Sequence, residues 1–424
     1  MYARKRLDIG WLDMASGLWH CAIAPDRMGA QARAEAWFAS GMPSGAGGGA
    51  LCSLSVRSGL DSYLAVLALP KGSEVLMSAL TIPDMWKVVE QHGLVPVPVD
   101  LDVRTLAPRL ECVERAASAK TRVLLIAHLF GTRIPLEPYA AIARERGWLL
   151  LEDCAQAFTG PDFKGSPLAD VSMFSFGPIK TAAALAGGVL CVRDPDVLAK
   201  MRVRQWAQPV QGRLAFAQRI AKYAGLKALT NPLLYSGFVK LCALLGRDHD
   251  RVIQGSVRGF AGGDFFQKIR RQPSGALCAL IARRLYNSDG SRVAQRTETA
   301  LALRAALGGT VEIAGSESAI HSYWVFTIQT DEPARVVSSL RAQGFDATGV
   351  ASWAVVPVPS GRERSSGESL EAREARQILA RMVYLPVYPE LPRKKIGALA
   401  EILRPSTRAD SASIGEDVRQ TRLA

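Results

Sequence analysis

Three short stretches hold residue types that could do covalent chemistry. Lys180 closes the run Phe174-Ser175-Phe176-Gly177-Pro178-Ile179-Lys180 and precedes Gly187-Gly188. Alanine, glycine and isoleucine around it do little to solvate an ammonium. Burial lowers a lysine pKa and frees the amine for a Schiff base. A loop lysine snorkelling to water would read the same way. Asp153 ends the run Leu149-Leu150-Leu151-Glu152-Asp153. A carboxylate at the end of an apolar strand needs a cationic or hydrogen-bonding partner. A protonated pyridine nitrogen is one such partner, and an arginine or a helix N-terminus is another. Arg57-Ser58-Gly59-Leu60-Asp61-Ser62 places small residues ahead of a helical pattern. That is either an anion site at a helix N-terminus or a plain cap made by Ser58 or Asp61.

The elements that must position these residues alternate. Val75-Leu76-Met77, Val95 to Val99, Val123 to Ile126 and Leu149 to Leu151 are short apolar runs. Helical patterns over Asp61 to Leu69, Pro83 to His92 and Leu136 to Arg146 separate them. Buried strands alternating with helices predict an α/β fold, a mostly parallel sheet with helices on both faces. Ligands of such sheets sit at the carboxyl ends of strands, where Asp100, His128 and Asp153 fall. Beyond Gly187 the sequence predicts a strand at Val189 to Val192 and a long helix from Pro273 toward Leu307. Strands at Ser322 to Gln329 and Met382 to Pro386 follow, with helices at Ala334 to Gln343 and Arg393 to Leu403. The divisions expected are a helical segment 1–50, a large domain 51–204 and a basic helix-prone region 205–272. A smaller α/β domain 273–405 and a flexible tail 406–424 complete the chain.

With 424 residues, 48% hydrophobic and 21% charged, the chain has the composition of a globular protein rather than a disordered or fibrous one. The net charge of +13 suits an anionic partner. Residues 193–271 hold 15 Lys and Arg against 5 Asp, so most of the excess lies there. Seven scattered cysteines without a C-x-x-C pair argue against zinc and against a disulfide scaffold, and fit a reducing cytoplasm. No apolar run is long enough to predict a membrane span.

Taken together, Ser58-Gly59, Gly93 to Thr105, His128-Leu129-Phe130-Gly131, Glu152 to Ala157 (EDCAQA), Ala169-Asp170 and Phe174 to Lys180 with Gly187-Gly188 form a specific series. In it the chain resembles the DegT-type sugar aminotransferases, which are pyridoxal-phosphate (PLP) enzymes of fold type I. The resemblance implies that Lys180 holds the cofactor and then moves protons as acid and base. It implies that Asp153 pairs with the pyridinium nitrogen, Ala155 packs on one ring face and Gln156 bonds the ring hydroxyl. Ser175 would bind the phosphate with its hydroxyl beside Ser58, and Gly59 and Leu60 with their amides. Lysine rather than histidine at position 180 favours transamination over dehydration. The implied reaction is ping-pong transfer from an amino acid such as glutamate to a keto group on a nucleotide-linked sugar, in a homodimer with a shared site. The alternatives are a non-sugar keto substrate, or a homologue that binds PLP or a sugar without turnover.

The departures from the pattern are specific. Leu60 stands where Thr is usual, Thr181 where Asn is common, and Ile82 where an aromatic covers the ring, with Trp86 one helical turn on. Arg270 aligns with a segment that reaches the partner subunit, so it is expected to face the phosphate across the interface. Residues 205–265 have no family counterpart. Their bases and aromatics suit a nucleotide diphosphate, a membrane surface or a single strand of nucleic acid, although no nucleic acid is expected. The simplest expectation is extra amphipathic helices with basic outer faces. His128 is expected to be structural, and His321-Ser322-Tyr323-Trp324 to line the pocket or a core strand.

Overall fold

The computed structural model describes residues 1–41, 48–257, 264–349, 353–360 and 370–404, so the expected tail 406–424 lies outside the described residues. Seven strands form the central sheet: β1 Gly49–Ser53, β2 Glu74–Ser78, β3 Val95–Val99, β4 Thr121–Ala127, β5 Leu149–Asp153, β6 Val171–Ser175 and β7 Gly188–Val192. Their spatial order is 3-2-4-5-6-7-1, and β7 alone runs antiparallel to its neighbours. The apolar runs expected as strands all lie within this sheet. Alternation sends Val75, Met77, Val123 and Leu125 to one face and Leu76, Leu124 and Ile126 to the other. Each such burial contributes roughly 2 kcal/mol.

The helices before the basic region are α1 Trp11–Ile23, α2 Arg27–Ala39, α3 Val56–Leu67, α4 Pro83–Gln91, α5 Leu110–Ala116, α6 Glu137–Arg146 and α7 Pro195–Trp206. The basic region forms α8 Arg213–Leu229, α9 Pro232–Leu244, α10 His249–Val257 and α11 Phe265–Ile269. It is anchored: Phe216, Ile220 and Tyr223 of α8 enter the core formed by α1, α2 and one face of β6 and β7.

Two expected elements are corrected. The helix from Pro273 to Leu307 is two helices, α12 Gly275–Tyr286 and α13 Ser291–Leu307. Asn287-Ser288-Asp289-Gly290 breaks it, and Gly290 takes a φ of 77° that favours glycine. The break matters for packing, because α12 joins the core of the large sheet whereas α13 joins the C-terminal core. The strand expected over Ser322 to Gln329 shrinks to Phe326–Gln329, since Tyr323 has a φ of 45°. That strand pairs with Glu312–Ile313 and Met382–Leu385 in a three-stranded antiparallel sheet. Helix Arg373–Arg381 was absent from the sequence reading.

Residues 1–9 are an extended strap rather than helix. Tyr2 exchanges backbone hydrogen bonds with Gly344 and Asp346 of the C-terminal part, at 2.7 and 2.8 Å. At its other end Asp8 accepts from the amides of Ala182 and Ala183, beside Lys180. All seven cysteines are buried thiols, and among them the Sγ atoms of Cys52 and Cys278 lie 4.0 Å apart. No described helix is long and apolar enough to cross a membrane.

Candidate active site

Three neighbouring chain segments meet at one end of the sheet. β5 ends at Asp153 and β6 ends at Ser175. Gly188, opposite Ser175 in the β6–β7 register, touches the start of α3. A Cβ on Gly188 would stand 2.7 Å from the amide nitrogen of Val56, so only glycine lets the helix come this close. The N-terminus of α3, with its positive dipole end, therefore abuts the strand pair that carries Ser175.

The cap of this helix differs from expectation. Ser55 is the N-cap, its Oγ accepting from the amide of Ser58, and the Ser58 hydroxyl pairs with the Ser55 hydroxyl at 2.9 Å. Neither Ser58 nor Asp61 caps. Gly59 lies a full turn inside, with its amide bonded to the Ser55 carbonyl at 3.1 Å. Its lack of a side chain serves packing, because a Cβ would stand 2.0 Å from Leu190 Cδ1. Leu60 is fully buried in the core. The Gly59 amide is thus committed inside the helix, whose first residues are Val56 and Arg57.

Lys180 follows β6 in a tight turn, its amide bonded to the Gly177 carbonyl at 3.1 Å. Its ammonium lies 4.1 Å over the Trp324 ring and makes no hydrogen bond or ion pair among the described residues. Trp324 is itself fixed by its Nε1–H donating to the Ile179 carbonyl at 2.9 Å. Burial lowers the Lys180 pKa to about 8; Asp153 pulls it back up and Arg57 pushes it further down. The expectation of a desolvated lysine is met.

Burial pushes the Asp153 carboxyl above its usual range. Oδ1 accepts from the Ala155 amide at 2.9 Å, and Oδ2 has no partner among the described residues. Gln156 Oε1 accepts from the Phe130 amide at 2.8 Å, which leaves its NH₂ group free to donate. Ser175 Oγ is likewise uncommitted. Ala155, Ile82 and Trp86 border the same apolar cluster, and Ile82 is the residue before α4. His128 is structural, as expected: Nδ1 accepts from the Ile134 amide, so Nε2–H donates to Glu152 at 2.8 Å.

Within its own chain the Arg270 guanidinium grips buried Asp61 on α3 at 2.9 and 3.0 Å, and His92 adds a third contact at 3.1 Å.

The sequence reading also missed a cluster of bases. A cleft beside Lys180 is lined by Lys5 and Arg6 of the strap and by Arg292 and Arg296 of α13. Arg296 is only 8% exposed. It donates to the Ser322 carbonyl and to Thr181 Oγ1, while its Nη2 and the Arg6 Nε are buried without partners. Lys5 lies 3.7 Å over the same Trp324 ring, and burial, Arg296 and Lys180 all push its pKa well down. No local spacing signalled this cluster, because its members are about 290 residues apart in sequence. Behind Ile179 and Trp324 an apolar cavity of about 210 Å³ reaches Leu226, Leu229 and Tyr384.

The sheet order and the lysine–aspartate edge define a fold-type-I PLP-dependent aminotransferase architecture. Residues 49–225 match the model of the DegT/DnrJ/EryC1/StrS aminotransferase family. A GDP-perosamine synthase of Escherichia coli O157:H7 is 32% identical over 137 residues, 31% of this chain and 37% of that protein. The chain thus spans about two fifths of the first curated relatives it matches. A UDP-N-acetyl-3-dehydro-alpha-D-glucosamine 3-aminotransferase of Acidithiobacillus ferrooxidans is 25% identical over 82% of each chain. The fold is similar to the PLP form of the putative sugar aminotransferase Spr1654 from Streptococcus pneumoniae, with a TM-score of 0.68 at 14% identity. That likeness covers 96% of this chain and 98% of the other. The donor set fits the cofactor: an amine of lowered pKa, a carboxylate oxygen, an amide donor and a hydroxyl near a helix N-terminus, the last three without partners among the described residues.

Proposed function

We propose that this protein is a PLP-dependent aminotransferase that carries an amino group from an amino acid, glutamate in the first instance, to a keto group of a nucleotide-linked sugar. The observation that carries the reading is Lys180, desolvated to a pKa of about 8 and within electrostatic reach of the Asp153 carboxyl at the same edge of the sheet. When bound, PLP supplies a carbonyl for that amine and an electron sink for the substrate carbanion. Asp153 Oδ2 would hold the proton on the ring nitrogen, and that positive charge would favour the ionised carboxylate. Gln156 would donate from Nε2 to the ring hydroxyl. Ser175 Oγ and the Val56 and Arg57 amides would hold the phosphate, with the dipole of α3 behind them. Once released by substrate, Lys180 Nζ would take the proton from one carbon and return it to the other. Ala155 on one side and Ile82 or Trp86 on the other would exclude water from the ring.

Arg296, Arg6 and Lys5 would hold the anionic part of the substrates, a donor carboxylate or the acceptor's diphosphate. An incoming anion would also favour the charged form of Lys5, which burial disfavours. The apolar cavity behind Trp324 favours a second reading of the acceptor, one that carries an apolar group. A homodimer sharing this site is part of the proposal.

The test is spectroscopic. Purified chain with PLP should show a visible band that borohydride traps on Lys180, and excess glutamate should bleach it. Lys180→Ala should abolish trapping. A band that no amino acid moves would leave a cofactor-binding homologue without turnover, and trapping on another lysine would refute the site. Product analysis with keto-sugar nucleotides and with small keto acids then identifies the acceptor.

A further inference from the structure

The basic helices were expected to turn basic faces outward, and α9 turns an apolar stripe outward beside its one base, Lys240. Tyr235 and Cys242 point into the protein, while Leu233, Leu234, Leu241, Leu244 and Leu245 are exposed along one stripe. Leu233 is 83% exposed and Leu244 84%. These leucines follow the spacing of a single helical face. α1 repeats the arrangement: Asp13, Met14, Gly17 and Cys21 face inward, and Trp11, Leu12, Leu18, Trp19 and Ile23 face out. α8 packs against both helices, and Lys227 near its end lies 5.7 Å over the Trp11 ring. Both helices pack on α8, and each leaves a stripe of large apolar side chains exposed, the kind of surface that marks a binding site.

Charge selects what covers it. Residues 197–247 contain nine Lys and Arg and no Asp or Glu. Lys222, Lys240 and Arg247 are exposed, and none forms an ion pair among the described residues. A second copy of this chain, docked by a two-fold axis, would set this acid-free surface against itself. An anionic bilayer pairs with it on both counts, since the apolar stripe enters the acyl boundary while the lysines meet lipid phosphates. Tryptophans at the rim of such a stripe suit the headgroup level.

We propose that the outer faces of α1 and α9, with the bases of α8 and α9, dock this protein peripherally on an anionic membrane surface. The full chain, loaded with PLP, should co-sediment with vesicles of phosphatidylcholine containing about one third phosphatidylglycerol. It should release at high salt, and phosphatidylcholine alone should bind it far less. Emission of the exposed tryptophans should shift to the blue on binding and be quenched by brominated lipid. Lys222→Gln and Lys240→Gln should each weaken binding about five-fold. Leu241→Ser with Leu244→Ser should abolish it without changing PLP loading, because no leucine of the stripe lines the site. Failure to bind anionic vesicles, or equal binding to neutral ones, overturns the proposal. So does a change of oligomeric state in the leucine variant, which would make the face a contact between copies.

Discussion

The environment of Lys180 makes a prediction with opposite signs at two positions. A lysine with a pKa of about 8 rather than the usual 10.5 holds its amine neutral far more often. At pH 7 the neutral fraction rises roughly 300-fold, a difference worth roughly 3 kcal/mol between the protonation states. The assay follows borohydride trapping of PLP on the cofactor-free chain at a series of pH values, reading initial rates at saturating PLP. The rate should climb with a midpoint near 8. Asp153 stabilises the ammonium, so Asp153→Asn should move the midpoint to lower pH. Arg57 repels it, so Arg57→Gln should move the midpoint up. A wild-type midpoint near that of an ordinary lysine would refute the desolvation argument. Two variants shifting the same way would refute the electrostatic assignment.

Other consequences can be measured directly. Ser175→Ala should weaken PLP binding about ten-fold, the loss of one hydrogen bond to a charged group, without changing thermal stability, since Ser175 Oγ makes no bond in the protein itself. Arg270 and His92 hold the Asp61 carboxyl at about 2, below its usual 3.8. That pairing contributes about 2 kcal/mol above pH 4 and is lost as pH falls toward 2, so urea unfolding of Asp61→Asn should show a flatter acid limb than the parent. Gly59→Ala should cost about 1–3 kcal/mol by denaturant melting, and Leu190→Ala should recover part of that loss in the double variant.

Much of the large sheet was legible because its strands are apolar runs separated by amphipathic helices, and both faces are buried. Lys180, Asp153, Gln156 and Ser175 were legible for a related reason: each sits within a few residues of a strand end, where sequence order fixes position. The start of α3 was not, because both Ser55 and Ser58 are competent caps, and the close approach of Gly188 that sets the register comes from another strand. The basic cleft was invisible for want of locality, since Lys5 and Arg6 meet Arg296 only when the strap crosses between the two sheets. The Arg270–Asp61 pair was not legible, because the two residues lie 209 positions apart. The leucine stripe of α9 was read as ordinary amphipathicity, because composition cannot say which face of a helix turns inward.

The seven buried thiols give this molecule a built-in set of local reporters. Cys21 lies on the inner face of α1, Cys242 on that of α9, and Cys154 directly follows Asp153. A thiol reagent can reach each one only when its own element lifts away, so the labelling rate at each site measures the free energy of opening there. Cys21 and Cys242 would register the detachment of the two outer helices separately from Cys154 at the sheet edge. Their ratio, taken with and without vesicles, would divide the protein's stability between its catalytic half and its periphery using no introduced probe.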